Sequence, residues 1–170
     1  SYVVVFLDRS DNHYPVAQVR HILIKAVADS DGSYTDKAKE IAKNRAEEIL
    51  AEFNAGDKTE DSFAELAKDY SEDTGSAENG GLYDTVYKGA TVEEFDKFCF
   101  EGHKKGDTAI VYGESSSYAG YHVMYYVGEG DLYSNLLAKN DLVNTTVSQW
   151  VEDQVNALTV TNGWWLRIAG

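Results

Sequence analysis

Cysteine, proline and methionine occur once each in this chain of 170 residues. A single cysteine, Cys99, excludes an intrachain disulfide. Positive charge is also scarce: 15 Lys and Arg face 29 Asp and Glu, for a formal net charge of −14. That balance argues against nucleic acid, whose phosphates demand clustered Lys and Arg, and it disfavours anionic membrane surfaces and phosphorylated ligands. No apolar run approaches the roughly 20 residues of a membrane span. There is no signal peptide, and the chain opens on Ser1-Tyr2-Val3-Val4-Val5-Phe6-Leu7 without a methionine, which reads as a processed or trimmed product. Neither GxSxG nor HExxH is present, so the usual local signatures of a serine hydrolase and a zinc peptidase are missing. Cys99 lies in an apolar helix end, Glu93–Phe100, with no electropositive setting to activate it, and reads as a buried, inert thiol.

What the chain does have is a globular composition, 43% apolar and 12% aromatic. Its length fits one domain, or one domain with substantial flanks. Val16-Ala17-Gln18-Val19-Arg20-His21-Ile22-Leu23-Ile24-Lys25 reads as a strand rich in β-branched and aliphatic residues. Alternation puts Val19, His21 and Leu23 on one face and Arg20, Ile22 and Ile24 on the other. Both faces are mostly apolar, so the strand is expected to be central and covered on each side. An imidazole there needs a partner, because an unpaired buried polar group costs about 1–3 kcal/mol.

The remaining order is β, long α, short α, loop, α, β, β, with extra segments at both ends. A helix is expected from Thr35 to Asn54, its apolar positions recurring at i, i+3, i+4. A second starts at Asp61 or Ser62. A polar loop over residues 71–81 is long for a connection, and such loops often carry function. A short strand follows at 82–87. Thr91-Val92-Glu93-Glu94 reads as a capping box that opens a helix with Phe95, Phe98 and Phe100. Strands are expected at 108–112 and 120–127, joined by a serine-rich turn, and an amphipathic helix after Gly130. This is an α+β pattern with a small, mainly antiparallel four-stranded sheet, surrounding helices and a helical C-terminal flank. The expected organisation is a flank over 1–15, a domain over 16–130 and a helical flank over 131–170.

Four residues stand out for chemistry. His21 and His122 sit in apolar strands, Asp73 in the long loop, and Phe95 in the helix beyond it. Two histidines and an aspartate could bind a metal, but no local ligand spacing supports this, and no cofactor is expected.

Five segments, in register over about residues 16–129, resemble the parvulin-type peptidyl-prolyl isomerases. Arg20-His21-Ile22-Leu23-Ile24 resembles that family's opening strand. Phe63-Ala64-Glu65-Leu66-Ala67-Lys68-Asp69-Tyr70-Ser71-Glu72-Asp73 resembles its second helix and active-site loop. Gly80-Gly81, then Phe95-Asp96-Lys97 with Phe100, follow at the family's spacing, and Gly120-Tyr121-His122-Val123 is similar to its closing strand. The acidic loop before the long helix and the flanks at both ends look like the extracytoplasmic foldase lipoproteins of Gram-positive bacteria, of PrsA type.

The resemblance implies a rotamase that assists folding of secreted polypeptides, with a non-catalytic polypeptide-binding chaperone on the same scaffold as the alternative. It implies catalytic roles for His21, His122 and Asp73, the histidine rings meeting at the centre of the sheet. Phe95 would floor the proline pocket, with Thr91, Tyr83 and Ser117 on its walls and rim. Thr91 stands where a Met or Leu is usual and Tyr83 near a usual Leu, which implies a more polar pocket. Ala109-Ile110-Val111 replaces the usual Gly-Pro-Val. The implied partners are unfolded or partly folded proline-containing polypeptides. Phosphate-directed parvulins carry a basic cluster after the first strand. Here Lys25 is followed by Asp29 and Asp31, so phosphate-specific recognition is not expected. A lipid anchor outside this chain, a cell-surface location and a homodimer are compatible with the resemblance.

Overall fold

The computed structural model describes residues 11–157. The apolar ends at 2–7 and 164–168 lie outside the described residues. Strand β1 (Pro15–Lys25) is followed by α1 (Asp36–Ala55), α2 (Glu60–Tyr70), a short 3₁₀ turn (Ala77–Asn79) and β2 (Leu82–Val86). Then come α3 (Glu93–Phe100), β3 (Thr108–Glu114), β4 (Ala119–Leu132) and α4 (Tyr133–Ala157). The four strands form one antiparallel sheet in the order β2-β1-β4-β3.

The two central strands pair along their whole length, from Lys25 opposite Gly120 to Pro15 opposite Leu132, with irregularities near Ala17 and Val19. Their alternation splits the core in two. Ile22, Ile24, Val123 and Tyr125 point to one face and are covered by Ala42, Ala46, Ile49 and Phe53 of α1 and Phe63 and Ala67 of α2. Ala17, Val19, Met124 and Tyr126 point to the other and meet Phe95, Phe98 and Cys99 of α3. The i, i+4, i+7, i+11 spacing of the α1 residues puts them on one stripe of that helix.

Two helix starts differ from the sequence expectation. Helix α2 begins at Glu60, because Thr59 and Ser62 form a reciprocal capping box in which each side chain binds the other's backbone N–H. The box expected at Thr91–Glu94 does not form. Val92 is the cap of α3 and supplies no side-chain acceptor, while Glu93 and Glu94 pair with Lys97 instead.

The chain divides into two compact units, one ending at Tyr133 and one starting at Ser134. Taken by itself, α4 is a helix on which Leu142, Val147, Trp150 and Val155 are exposed. No described helix is long and apolar enough to cross a membrane.

Candidate active site

The loop after α2 occupies the place beside β1 that a longer β2 would take. Leu23 N–H donates to Ser71 Oγ at 3.1 Å, and Leu23 carbonyl accepts from Glu72 N–H at 2.8 Å. At the loop's other end His21 N–H donates to the Gly81 carbonyl at 2.9 Å. The loop is thus pinned on both sides of His21 and carries Asp73 over it. Gly81 makes the closure feasible: its φ is +69°, and a Cβ there would sit 2.1 Å from the His21 carbonyl oxygen. Arg20, on the opposite face from His21, locks the same end. Its guanidinium donates to the Asn79 and Gly80 carbonyls at 3.0 and 2.9 Å and to Glu60 at 3.2 Å.

Register brings the two histidines together. Leu23 is opposite His122, and His21 lies two residues along β1 on the same face, so the imidazoles are diagonal neighbours. Their Nδ1 atoms are 3.1 Å apart. His21 Nε2 is 3.0 Å from Asp73 Oδ2. That oxygen also accepts from Ser76 Oγ at 2.6 Å and from the Tyr83 hydroxyl at 3.0 Å. On the far side, Tyr118 hydroxyl is 2.9 Å from His122 Nε2. His21 and His122 are both buried, at 2% and 4% exposure, so every ring nitrogen needs a protein partner, and each has one.

Phe95 of α3 presents its ring to both imidazoles edge-on, at centroid distances of 5.4 Å to His21 and 5.3 Å to His122. With Tyr83, Ala90, Thr91, Val92 and Tyr118, these three rings line a cavity of about 340 Å³. A hollow of about 310 Å³ along β2 shares Tyr83, Ala90 and Thr91 with it. Thr91 Oγ1 is buried without a hydrogen-bond partner among the described residues.

The electrostatics follow from these contacts. The hydrogen bond from His21, with those from Ser76 and Tyr83, holds Asp73 well below the usual carboxylate range, against its partial burial. Burial pushes His122 down to about 3, aided by the adjacent His21 and opposed by Asp73. Burial, with the Asp73 charge, pushes Tyr83 up to about 12. The hydrogen-bond chain therefore carries an anionic acceptor at Asp73 and a neutral ring at His122, with His21 between them.

Ser76, His21 and Asp73 are the residue types of a hydrolytic triad, but the geometry is wrong for one. Ser76 and Asp73 both approach Nε2 of His21, at 3.2 and 3.0 Å, whereas a triad places serine and acid on opposite nitrogens. Ser76 is itself buried and committed to Asp73. Cys99 is buried under α3 with its thiol pushed up to about 12 by burial, so it offers no thiolate. Among the described residues no group of three or more His, Cys, Asp or Glu side chains is arranged to hold a metal ion.

His21, His122, Asp73, Phe95, Tyr83 and Thr91 are all brought to one place. Ser117 is not: it is exposed, in the turn between β3 and β4, and its Oγ meets Ser115 Oγ at 3.1 Å. The neighbouring Tyr118 reaches the site instead. Ser76 and Tyr118 are the residues the sequence reading missed. Ser76 follows Asp73 by three positions in a loop that curls back on it, with Ser76 N–H donating to the Asp73 carbonyl. Tyr118 precedes His122 by four across a strand start, where no periodicity points inward.

Paired histidines at the centre of a four-stranded antiparallel sheet, with an acidic loop on one side and an aromatic floor on the other, define a parvulin-like α+β domain. The chain belongs to the PPIC-type PPIase domain family, which its residues 4–127 match. Foldase protein PrsA 3 of Bacillus anthracis is 29% identical over 159 residues, covering 89% of this chain and 48% of that protein. Foldase protein PrsA of Staphylococcus aureus is 36% identical over 139 residues, covering 82% of this chain and 40% of that protein. The crystal structure of PrsA from Bacillus subtilis superimposes with a TM-score of 0.50 at 26% identity, over 88% of this chain and 53% of that one. The chain thus spans about half the length, or less, of the curated relatives it matches.

Proposed function

We propose that this chain is a peptidyl-prolyl cis/trans isomerase acting on unfolded or partly folded polypeptides. The observation that carries the reading is the buried His21–His122–Asp73 chain set directly against Phe95 in one open cavity. An X–Pro bond rotates over a barrier of roughly 18–20 kcal/mol, because amide resonance must be broken. No bond to carbon has to form. The site needs only to favour the twisted amide over both planar isomers. Phe95 and Val92 offer the proline ring an apolar seat. Removing water from the amide disfavours its planar, more dipolar form. The neutral His122 and the anionic Asp73 set the field around the carbonyl without attacking it.

The hollow along β2 gives room for residues flanking the proline. Residues 16–130 form the isomerase domain in this reading, and the segments on either side belong to a larger foldase. The relatives are named as foldase proteins, which supports clients that are still folding. An extracytoplasmic, cell-surface location with a lipid anchor outside this chain follows the same resemblance, as does pairing into a homodimer.

A protease-coupled proline-tetrapeptide assay at low temperature tests the activity. Asp73→Asn and His122→Ala are each expected to lower kcat/KM by about tenfold, equivalent to about 1.4 kcal/mol. Unchanged rates in both variants would remove these residues from catalysis. A parent protein with no rate that still suppresses client aggregation would establish the chaperone alternative, for which the polar lining by Thr91 and Tyr83 is the favouring observation.

A further inference from the structure

Tyr118 closes the hydrogen-bond chain at the end away from Asp73, and the direction of the whole chain follows from what it does there. Asp73, held ionised, can only accept. His21 must therefore carry a proton on Nε2. A neutral His21 then has a bare Nδ1. The 3.1 Å contact between the two Nδ1 atoms requires the proton to sit on His122. That leaves a lone pair on His122 Nε2, 2.9 Å from the Tyr118 oxygen, and the phenol must donate. In the reverse direction Tyr118 accepts, His122 carries Nε2–H and presents a lone pair at Nδ1, and His21 needs protons on both nitrogens. The two directions differ by one proton.

We propose that Tyr118 is a positioning residue: by donating to His122 Nε2 it fixes which nitrogen of each histidine carries the proton, and so holds the chain in its neutral form. Burial of His122 favours the same form. The fold makes room for the contact on purpose-shaped backbone. A Cβ at Gly113 of β3 would lie 2.8 Å from His122 Nε2 and 3.0 Å from the Tyr118 hydroxyl. Only a residue without a side chain lets the phenol reach the ring there. The titratable groups facing His122 are His21 from β1, Asp73 from the loop and Tyr118 itself. Strand β3 and α3 present Gly113, Val111 and Phe95, none of which titrates.

This inference deepens the isomerase reading and rests on it for the effect on rate, while its structural part is read without turnover. The experiment is a long-range proton–nitrogen spectrum of the imidazoles in the ¹⁵N-labelled chain, followed through an acid titration, alongside the tetrapeptide assay. The wild-type protein at neutral pH is expected to show His122 as the Nδ1–H tautomer, with an Nε2 resonance typical of a hydrogen-bond acceptor. Tyr118→Phe removes the donor. Gly113→Ala keeps the phenol but fills the gap. Both are expected to move that resonance toward the free lone-pair position. Tyr118→Phe should also move protonation of His122 to higher pH, because the Nε2 lone pair that the phenol engages is then free to take a proton. The isomerase rate should fall by about fivefold, through kcat rather than KM. Tyr121→Phe, a like change on a neighbouring residue outside the chain of bonds, should move none of these.

An Nε2–H tautomer in the wild-type protein overturns the proposal. So does an Nε2 resonance that neither Tyr118→Phe nor Gly113→Ala displaces. If Tyr118→Phe does not fold, the wild-type tautomer and Gly113→Ala still decide. A confirmed tautomer in a protein without isomerase activity would sustain the role of Tyr118 and remove the function, so the two failures are distinguishable.

Discussion

His122 would titrate near 6.5 in an unfolded chain and is held down to about 3 in the folded one. The sign of the consequence is fixed by linkage. Between those values the unfolded chain binds a proton that the folded chain refuses, so stability falls as pH drops from about 6.5 toward 3. Asp73 acts in a lower window: its carboxyl is depressed below 3.8 in the fold, so its contribution is complete above 3.8 and is lost below it. Urea midpoints are therefore expected to decline already between about pH 7 and pH 4.5, before most carboxylates titrate. His122→Asn, whose amide N–H can replace the Nδ1–H donor to His21, should flatten that decline. An equal slope in both proteins would show that the proton goes elsewhere. The histidines and Asp73 were identifiable in the sequence because strand pattern and family spacing mark them. Thr91 does not cap α3 as its sequence neighbours suggest, because its hydroxyl falls one residue before Val92, the real cap, and has no partner among the described residues.

At the scale of elements, the decisive piece is the loop between α2 and β2, which has no regular structure beyond a single 3₁₀ turn and yet is tied to β1 at both ends. Gly81→Ala tests the tie. It places a Cβ against the His21 carbonyl and also strains a backbone at φ +69°. Gly89→Ala is the matched control, with φ +81° and nothing within 4 Å of the added carbon. The control is expected to cost about 1–2 kcal/mol in urea unfolding, the price of the left-handed backbone alone. Gly81→Ala should cost clearly more and also lower the isomerase rate, since Asp73 rides on the same loop. Equal costs would mean that the loop yields without disturbing β1. The sequence marked this loop as polar, glycine-containing and too long for a mere connection. Its course was not legible, because it depends on contacts from Arg20 to Asn79 and Gly80, and from Ser71 to Leu23, far apart in the chain.

For the whole molecule the net charge of −14 sets the long-range field. Proline peptides flanked by lysine or arginine should be turned over with a higher kcat/KM than peptides flanked by glutamate or phosphoserine. The gap should shrink as ionic strength rises from about 0.01 M to about 0.5 M, where the screening length falls to a few ångströms. A gap that salt leaves untouched would place the preference in local contacts of the cavity instead of the overall field. The architecture at this scale was readable in advance: alternation gave the central strands, i, i+3, i+4 spacing gave α1, and the order of elements gave an antiparallel α+β sheet.

The sequence by itself determined which residue types lie inside, which strands are central, and the exclusion of an intrachain disulfide, because composition and periodicity are local properties of the side chains. Only the tertiary structure decided that Leu23 stands opposite His122, that Ser76 and Tyr118 join the chain of hydrogen bonds, and that Ser117 does not. Those outcomes depend on strand register and on a loop folding back over β1. Distances of about 3 Å between residues as far apart as 21 and 122 are fixed by the packed whole and by no stretch of the chain alone.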